Sequence, residues 1–224
     1  MGTVLEMMRK ALIAAALMAL SSCGTTGQQS PVLTLARAAI PALGAGPPGD
    51  PSAAPPGFSP QEVAANPGAY SLITIHGLYP AGLARIVEAS DGRVTYESQY
   101  RFSAAYRDGI LVGTRGLADD LMAADPGNLL AAIRAGGGTT RRVHETLSPL
   151  DEIERTSFDC TIGGGALETV NLGLKEVPAR GWEEECLGGG LQFKNKYWLD
   201  SAGEIVASRQ FVSETVAYLR ENSL

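Results

Sequence analysis

The chain has 224 residues, 45% of them hydrophobic, 19% charged and 6% aromatic, with 27 glycines, 13 prolines and 3 cysteines. That is enough for one moderate domain, or two small ones, with an ordinary core, and it excludes general disorder. The 18 Lys+Arg and 24 Asp+Glu give a net charge of −6, and no basic run exceeds Arg141-Arg142, so nucleic acid is not expected as a partner.

Arg9-Lys10 is followed by the apolar stretch Ala11 to Leu20 and then by Ser21, Ser22 and Cys23. This is a basic n-region, a short h-region and a small-residue cleavage site, and the h-region is too short to span a bilayer as a helix. Leu20-Ser21-Ser22-Cys23 resembles the bacterial lipobox, which implies a signal peptide at 1–22 and an acylated Cys23. The alternative is a plain secretory signal in which Cys23 is incidental. Glu6 is unusual in an n-region, so Met7 and Met8 compete with Met1 as the start. Two or three acyl chains hold a protein on a membrane without spanning it. Residue 24 is Gly, whereas Asp after the lipidated cysteine signals inner-membrane retention in such lipoproteins; the resemblance therefore implies the periplasmic face of the outer membrane. Removing residues 1–22 takes away Arg9, Lys10 and Glu6 and leaves 16 basic and 23 acidic residues, net −7.

Residues 23–69 read as a lipidated Cys followed by a tether, since nine of the 13 prolines fall between Pro31 and Pro67 among Ala, Gly and Ser. Such a composition favours extended polyproline II. Short helical turns are expected at Leu33–Ala39 and after Ser59-Pro60-Gln61-Glu62, with Ser59 as cap and Pro60 first. Gly44–Gly49 matches a dinucleotide fingerprint by letters alone; with two prolines inside it and no strand before it, the match is accidental.

From Tyr70 to Leu224 the period becomes that of strands, giving one β-rich globular domain. Strands are expected at Tyr70–Leu78, Gly82–Ala89, Arg93–Phe102, Ile110–Thr114, Thr139–Leu147, Ile153–Ile162, Ala166–Lys175, Gln192–Leu199, Glu204–Phe211 and Thr215–Arg220. Asp91-Gly92 and Asp108-Gly109 are hairpin signals, Gly163-Gly164-Gly165 separates two strands, and Asp200–Gly203 is a turn. One helix is expected at Pro126–Ala135, with Asp125 as its cap. The fold class is all-β: an antiparallel meander curled into a sandwich or a partly open barrel.

Cys160 and Cys186 are the remaining cysteines, and in an exported chain they are expected to pair. The sharper alternative is a catalytic thiol beside His144 or His76. Two histidines 68 residues apart offer no zinc spacing, and neither a nucleophile elbow nor a P-loop occurs. No metal, cofactor or catalytic residue is expected. Asp119-Asp120 and Glu183-Glu184-Glu185 are adjacent carboxylates, but neighbours on a strand point to opposite faces, and acidic runs commonly lie on solvated surfaces. Trp182, Tyr197 and Trp198 suit either sugar stacking or a core.

Val112–Met122 and Phe193–Phe211 resemble the signature stretches of the YjbF/GfcB lipoproteins of group 4 capsule and exopolysaccharide production. The resemblance runs from Tyr70 to Leu224. Cys160, Cys186 and Tyr218 fall at comparable positions, and Phe211 stands where Trp is expected. It implies an all-β outer-membrane lipoprotein, encoded beside a porin-like protein, that supports polysaccharide secretion without a known catalytic role.

Candidate contact residues are Arg115, Asp119, Asp120, Asn195, Trp198 and Arg209. Arg115 either pairs with Asp119 or Asp120 to fix its turn or recognises a ligand, and Asn195 and Arg209 face the same choice. The leading expectation is a non-enzymatic lipoprotein assisting exopolysaccharide assembly or export through a partner barrel, with polysaccharide itself as a further ligand. The alternatives are a periplasmic glycan- or lipid-binding carrier and, last, a polysaccharide-acting enzyme.

Overall fold

Inward apolar residues alternating with outward polar ones carry the chain through twelve strands of a single antiparallel sheet. A computed structural model of the protein describes residues 57–224. The strands are β1 (Tyr70–Ile75), β2 (Tyr79–Ser90), β3 (Arg93–Ser98), β4 (Ser103–Arg107), β5 (Ile110–Arg115), β6 (Ala123–Asp125) and β7 (Gly138–Leu147), then β8 (Ile153–Asn171), β9 (Glu176–Gly188), β10 (Leu191–Leu199), β11 (Ile205–Ser213) and β12 (Ala217–Ser223). Two short helices, α1 (Pro60–Ala65) and α2 (Leu129–Arg134), accompany them.

The spatial order is β5-β4-β3-β2-β1-β12-β11-β10-β9-β8-β7-β6. Every strand therefore lies beside its sequence neighbours except at two places: β1 pairs with β12, and β5 and β6 form the two edges. Those edges meet. Thr114 N donates to Leu121 O at 2.8 Å, and Met122 N donates to Glu145 O at 2.8 Å, so the sheet is a nearly closed barrel, as the meander pattern implies.

The turn chemistry is local and legible. Asp91 and Asp108 have φ of 49° and 50°, and the glycines after them 74° and 78°, the left-handed pair that two-residue hairpins need. Ser59 caps α1 in a full capping box with Glu62. Phe58 is buried edge-on against Tyr70, whose hydroxyl donates to Gly57 O at 2.8 Å. The signal segment, Cys23 and most of the tether, including Leu33–Ala39, lie outside the described residues.

Several elements differ from expectation. Gly163-Gly164-Gly165 does not separate two strands; β8 runs through it, with a bulge between Gly164 and Ala166. A Cβ on Gly164 would lie 2.5 Å from Gly181 O, so glycine here permits close pairing at a bend rather than a break. Between β8 and β10 the chain forms β9, where Pro178, Gly181 and three glutamates hide the strand pattern. Arg93–Phe102 is shortened because Arg101 turns at φ 67°, which lets β4 begin at Ser103. The helix starts at Leu129 with Asn128 as N-cap. Asp125 instead ends β6 and accepts from Gly127 N at 2.9 Å, and Gly127 at φ 59° takes Pro126-Gly127 out of the helix.

Helix α2 plugs one end of the barrel: Leu129, Ala132 and Ile133 pack on Ile110, Ile162, Trp182, Tyr197 and Leu199. Burying each of the larger aliphatics contributes about 1.5–3 kcal/mol. The far part of the β8–β9 hairpin lies on the outer face. Val170, Leu172 and Ala179 cover Trp198 and Ala207, Arg220 donates to Asn171 O at 3.3 Å, and Leu72 fills the space a Cβ on Gly173 would need.

Candidate functional site

The acidic run Glu183-Glu184-Glu185 sits on β9, where alternation turns its middle member inward. Outside, Lys194 Nζ lies 3.4 Å from Glu183 and 3.7 Å from Glu185. Inside, Glu184 is fully buried and accepts from Arg142 Nε at 3.1 Å, Arg142 Nη2 at 3.0 Å, Asn195 Nδ2 at 2.8 Å and the Tyr197 hydroxyl at 2.8 Å. Burial first, then the Glu184 charge, pushes the Tyr197 phenol well above its ordinary range, so it stays a donor. Gln210 extends the polar line across the barrel, accepting from Leu111 N at 2.8 Å and donating to Gly109 O at 3.0 Å.

A second polar group lies further round the barrel. Glu221 on β12 is buried and accepts from the Ser71 hydroxyl on β1. Burial outweighs that bond and raises its carboxyl to about 7. Burial and the nearby Glu221 also raise the phenols of Tyr96 and Tyr106. The Tyr106 hydroxyl meets no partner among the described residues.

Cys160 and Cys186 are direct cross-strand partners on β8 and β9 and form the expected disulfide, Cα–Cα 4.0 Å. Neither is free to be a nucleophile, and although Glu184 lies close to both, sulfurs bonded to each other are not thiolate ligands. His144 stacks on Phe193 at 5.5 Å and tilts over Phe158 at 5.1 Å. Burial, then Arg142, drops its imidazole to about 3, so it remains neutral.

The other contact candidates fall in different places. Arg115 does not pair with Asp119 or Asp120. Its guanidinium donates to the carbonyls of Thr114, Leu121 and Met122, because the meeting of the β5 and β6 edges clusters those acceptors around it, and a carbonyl oxygen has two lone pairs to share. Asp120 accepts from the Thr114 hydroxyl at 2.8 Å, Gly116 N at 2.9 Å and Leu117 N at 3.2 Å; Asp119 contributes its backbone carbonyl, which accepts from Ser213 Oγ at 3.1 Å. Asn195 is buried and bridges strands, accepting from Phe211 N at 2.7 Å where β10 and β11 part. Trp198 is 7% exposed under the β8–β9 hairpin. Arg209 is exposed beside a groove, its guanidinium 3.4 Å from the Tyr218 ring centroid. Arg142, Glu184, Tyr197, Gln210 and Glu221 were not singled out as interior partners by the sequence, and the inward Glu flanked by two outward ones was the available signal.

The interior thus neutralises Glu184 by pairing it with Arg142 and further donors, while burial favours the protonated form of Glu221, and α2 closes one end. Chemically it is a fixed strut. A curled antiparallel sheet nearly closed on itself, stapled across two strands, makes this an all-β barrel-like protein. The chain belongs to the YjbF family, described as "Group 4 capsule polysaccharide lipoprotein gfcB, YjbF", which it matches over residues 35–224. The uncharacterized lipoprotein YjbF of Escherichia coli (strain K12) is 29% identical over 129 residues, 55% of this chain and 60% of that protein's length. The solved hypothetical lipoprotein YmcC from Escherichia coli (K12) shares the fold, with TM-score 0.62 and 19% identity over 88% of this chain and 96% of that one.

Proposed function

We propose that the chain is an outer-membrane lipoprotein that assists capsule or exopolysaccharide assembly or export by contact rather than catalysis. In this reading residues 1–22 are the signal, acylated Cys23 anchors the protein on the periplasmic face, residues 23–69 are the tether, whose last part from Gly57 docks on the domain through Phe58 and Tyr70, and residues 70–224 are the working domain. Its partner is a porin-like outer-membrane protein. The match to a capsule polysaccharide lipoprotein family over residues 35–224 carries the polysaccharide link. The compensated interior supports a scaffold over a carrier: a hydrophobic-ligand carrier needs an apolar concave lining, whereas Arg142, Glu184, Asn195, Tyr197 and Gln210 cross this one.

Crosslinking in intact outer membranes followed by pull-down tests the reading. A porin-like protein should be recovered with the wild type, and capture of no outer-membrane protein would sink the partner claim. Cys23→Ser should leave the protein uncleaved or soluble and remove it from the outer-membrane fraction; unchanged sedimentation would refute the anchor.

A further inference from the structure

Cations on the outer face of β10, β11 and β12 fall into two groups. Lys194 meets Glu183 and Glu185, and Lys196 meets Glu168 at 3.1 Å. Arg209 and Arg220, which are direct cross-strand partners, meet no carboxylate among the described residues. Their guanidiniums touch only neutral groups: Arg209 lies over Tyr218 and donates to Lys194 O at 3.5 Å, while Arg220 lies over Trp198 and donates to Asn222 Oδ1 at 3.0 Å and to Asn171 O. Like charges directly opposite on a sheet destabilise it. Burial, then the Arg209 charge, lowers the Arg220 pKa, the mark of a cation short of compensation.

The two arginines border a groove of about 330 Å³ completed by Thr74, His76, Ala217 and Tyr218. The guanidiniums turn opposite ways along the strands, Arg209 toward Tyr218 and Arg220 toward Trp198 and Asn222, so the groove offers two separate planar forks, each suited to a carboxylate. Aromatic stacking holds both side chains in place before a ligand arrives, which lowers the ordering cost of binding. The rest of the lining, a hydroxyl, an imidazole, a methyl and a phenol ring, suits a sugar better than a second charge.

We propose that the Arg209–Arg220 groove binds carboxylate groups of an acidic glycan. This rests on the polysaccharide reading above and adds the charge class of the glycan and the place where it binds.

The test is calorimetric titration of the full lipoprotein in neutral detergent with hexagalacturonate, with maltohexaose as the uncharged match and inorganic phosphate as the free anion. Hexagalacturonate alone should bind, and more weakly as salt rises. Arg209→Gln and Arg220→Gln should each weaken binding about tenfold, the worth of a charge-assisted hydrogen bond. Thr74→Asp, which leaves both arginines in place and puts a carboxylate in the groove, should abolish binding with the thermal midpoint retained. No binding of hexagalacturonate, equal binding of maltohexaose or phosphate, or wild-type affinity in the folded variants would each overturn the proposal. Failure here leaves the export role intact, because that role is read from partner capture and polysaccharide output in cells.

Discussion

Glu184 receives two bonds from Arg142 and one each from Asn195 and Tyr197, and the consequence of this saturation depends on how it is broken. Glu184→Leu leaves a buried guanidinium uncompensated, which typically costs about 3–5 kcal/mol. Arg142→Met together with Glu184→Leu removes both charges and should be far less damaging than either change alone. Chemical denaturation of the three variants measures the coupling; additive losses would contradict a paired charge. Two other buried groups give the protein opposing pH responses. Glu221 holds its proton up to about pH 7 in the fold but loses it near 4.5 when unfolded, so its contribution is full below 4.5 and is lost as pH rises through 7. His144 stays neutral down to about pH 3 but takes a proton near 6.5 when unfolded, so its contribution is full above 6.5 and is lost as pH falls through 3. Between 4.5 and 6.5 the two slopes oppose each other. Glu221→Gln, which keeps an acceptor for Ser71, should abolish the loss toward neutral pH, worth roughly 3 kcal/mol, and leave stability rising with pH up to 6.5. Denaturation midpoints across the pH range check this, and an unchanged profile would refute a protonated Glu221.

At the scale of elements, the disulfide joins β8 to β9 across a separation of 26 residues. The chain-entropy model gives such a link roughly 3–4 kcal/mol. Thiol labelling of the denatured, unreduced mature protein should find no free cysteine, and Cys160→Ala with Cys186→Ala should lower stability by that order; labelled thiols would show the pair reduced. Hairpins whose turn needs φ > 0 could be read locally, because Asp91-Gly92 and Asp108-Gly109 specify their own conformation. Strand β9 could not. Pro178, Gly181 and Glu184 make sense only against partners supplied by β8, β10 and β7, and those are set by register rather than by local sequence. The same limit explains Gly163-Gly164-Gly165, which looks like a break until Gly181 is seen to approach it. It also explains Arg115: a nearby carboxylate was visible in the sequence, whereas the carbonyls it binds are created by the meeting of two sheet edges.

For the whole molecule, the contact role and a catalytic role separate in one double variant. Asp120 holds the turn that closes the barrel between β5 and β6, and Asp120→Asn should cost roughly 1–2 kcal/mol through weakened charge-assisted bonds. With Asp119→Asn added, polysaccharide output should fall only as far as folded, membrane-associated protein falls. A reacting acid/base pair would instead lose about 10²-fold or more in rate at full stability, and abolished output from a normally abundant double variant would revive the enzyme reading. The pairing of β1 with β12 has a consequence in time. The Ser71–Glu221 contact spans 150 positions, while nearly every other strand pairs with an immediate neighbour. As an exported chain is delivered from its N-terminus, β1 can dock on β2 at once, yet its other edge has nothing to pair with until the final stretch crosses. During that interval β1 stands as an unpaired edge strand, the usual template for intermolecular association, and only β12 turns it into an interior strand. The protein is therefore most prone to aggregation just before synthesis and translocation finish, and a substitution that slows arrival of Ala217–Ser223 would reduce yield without altering the finished fold.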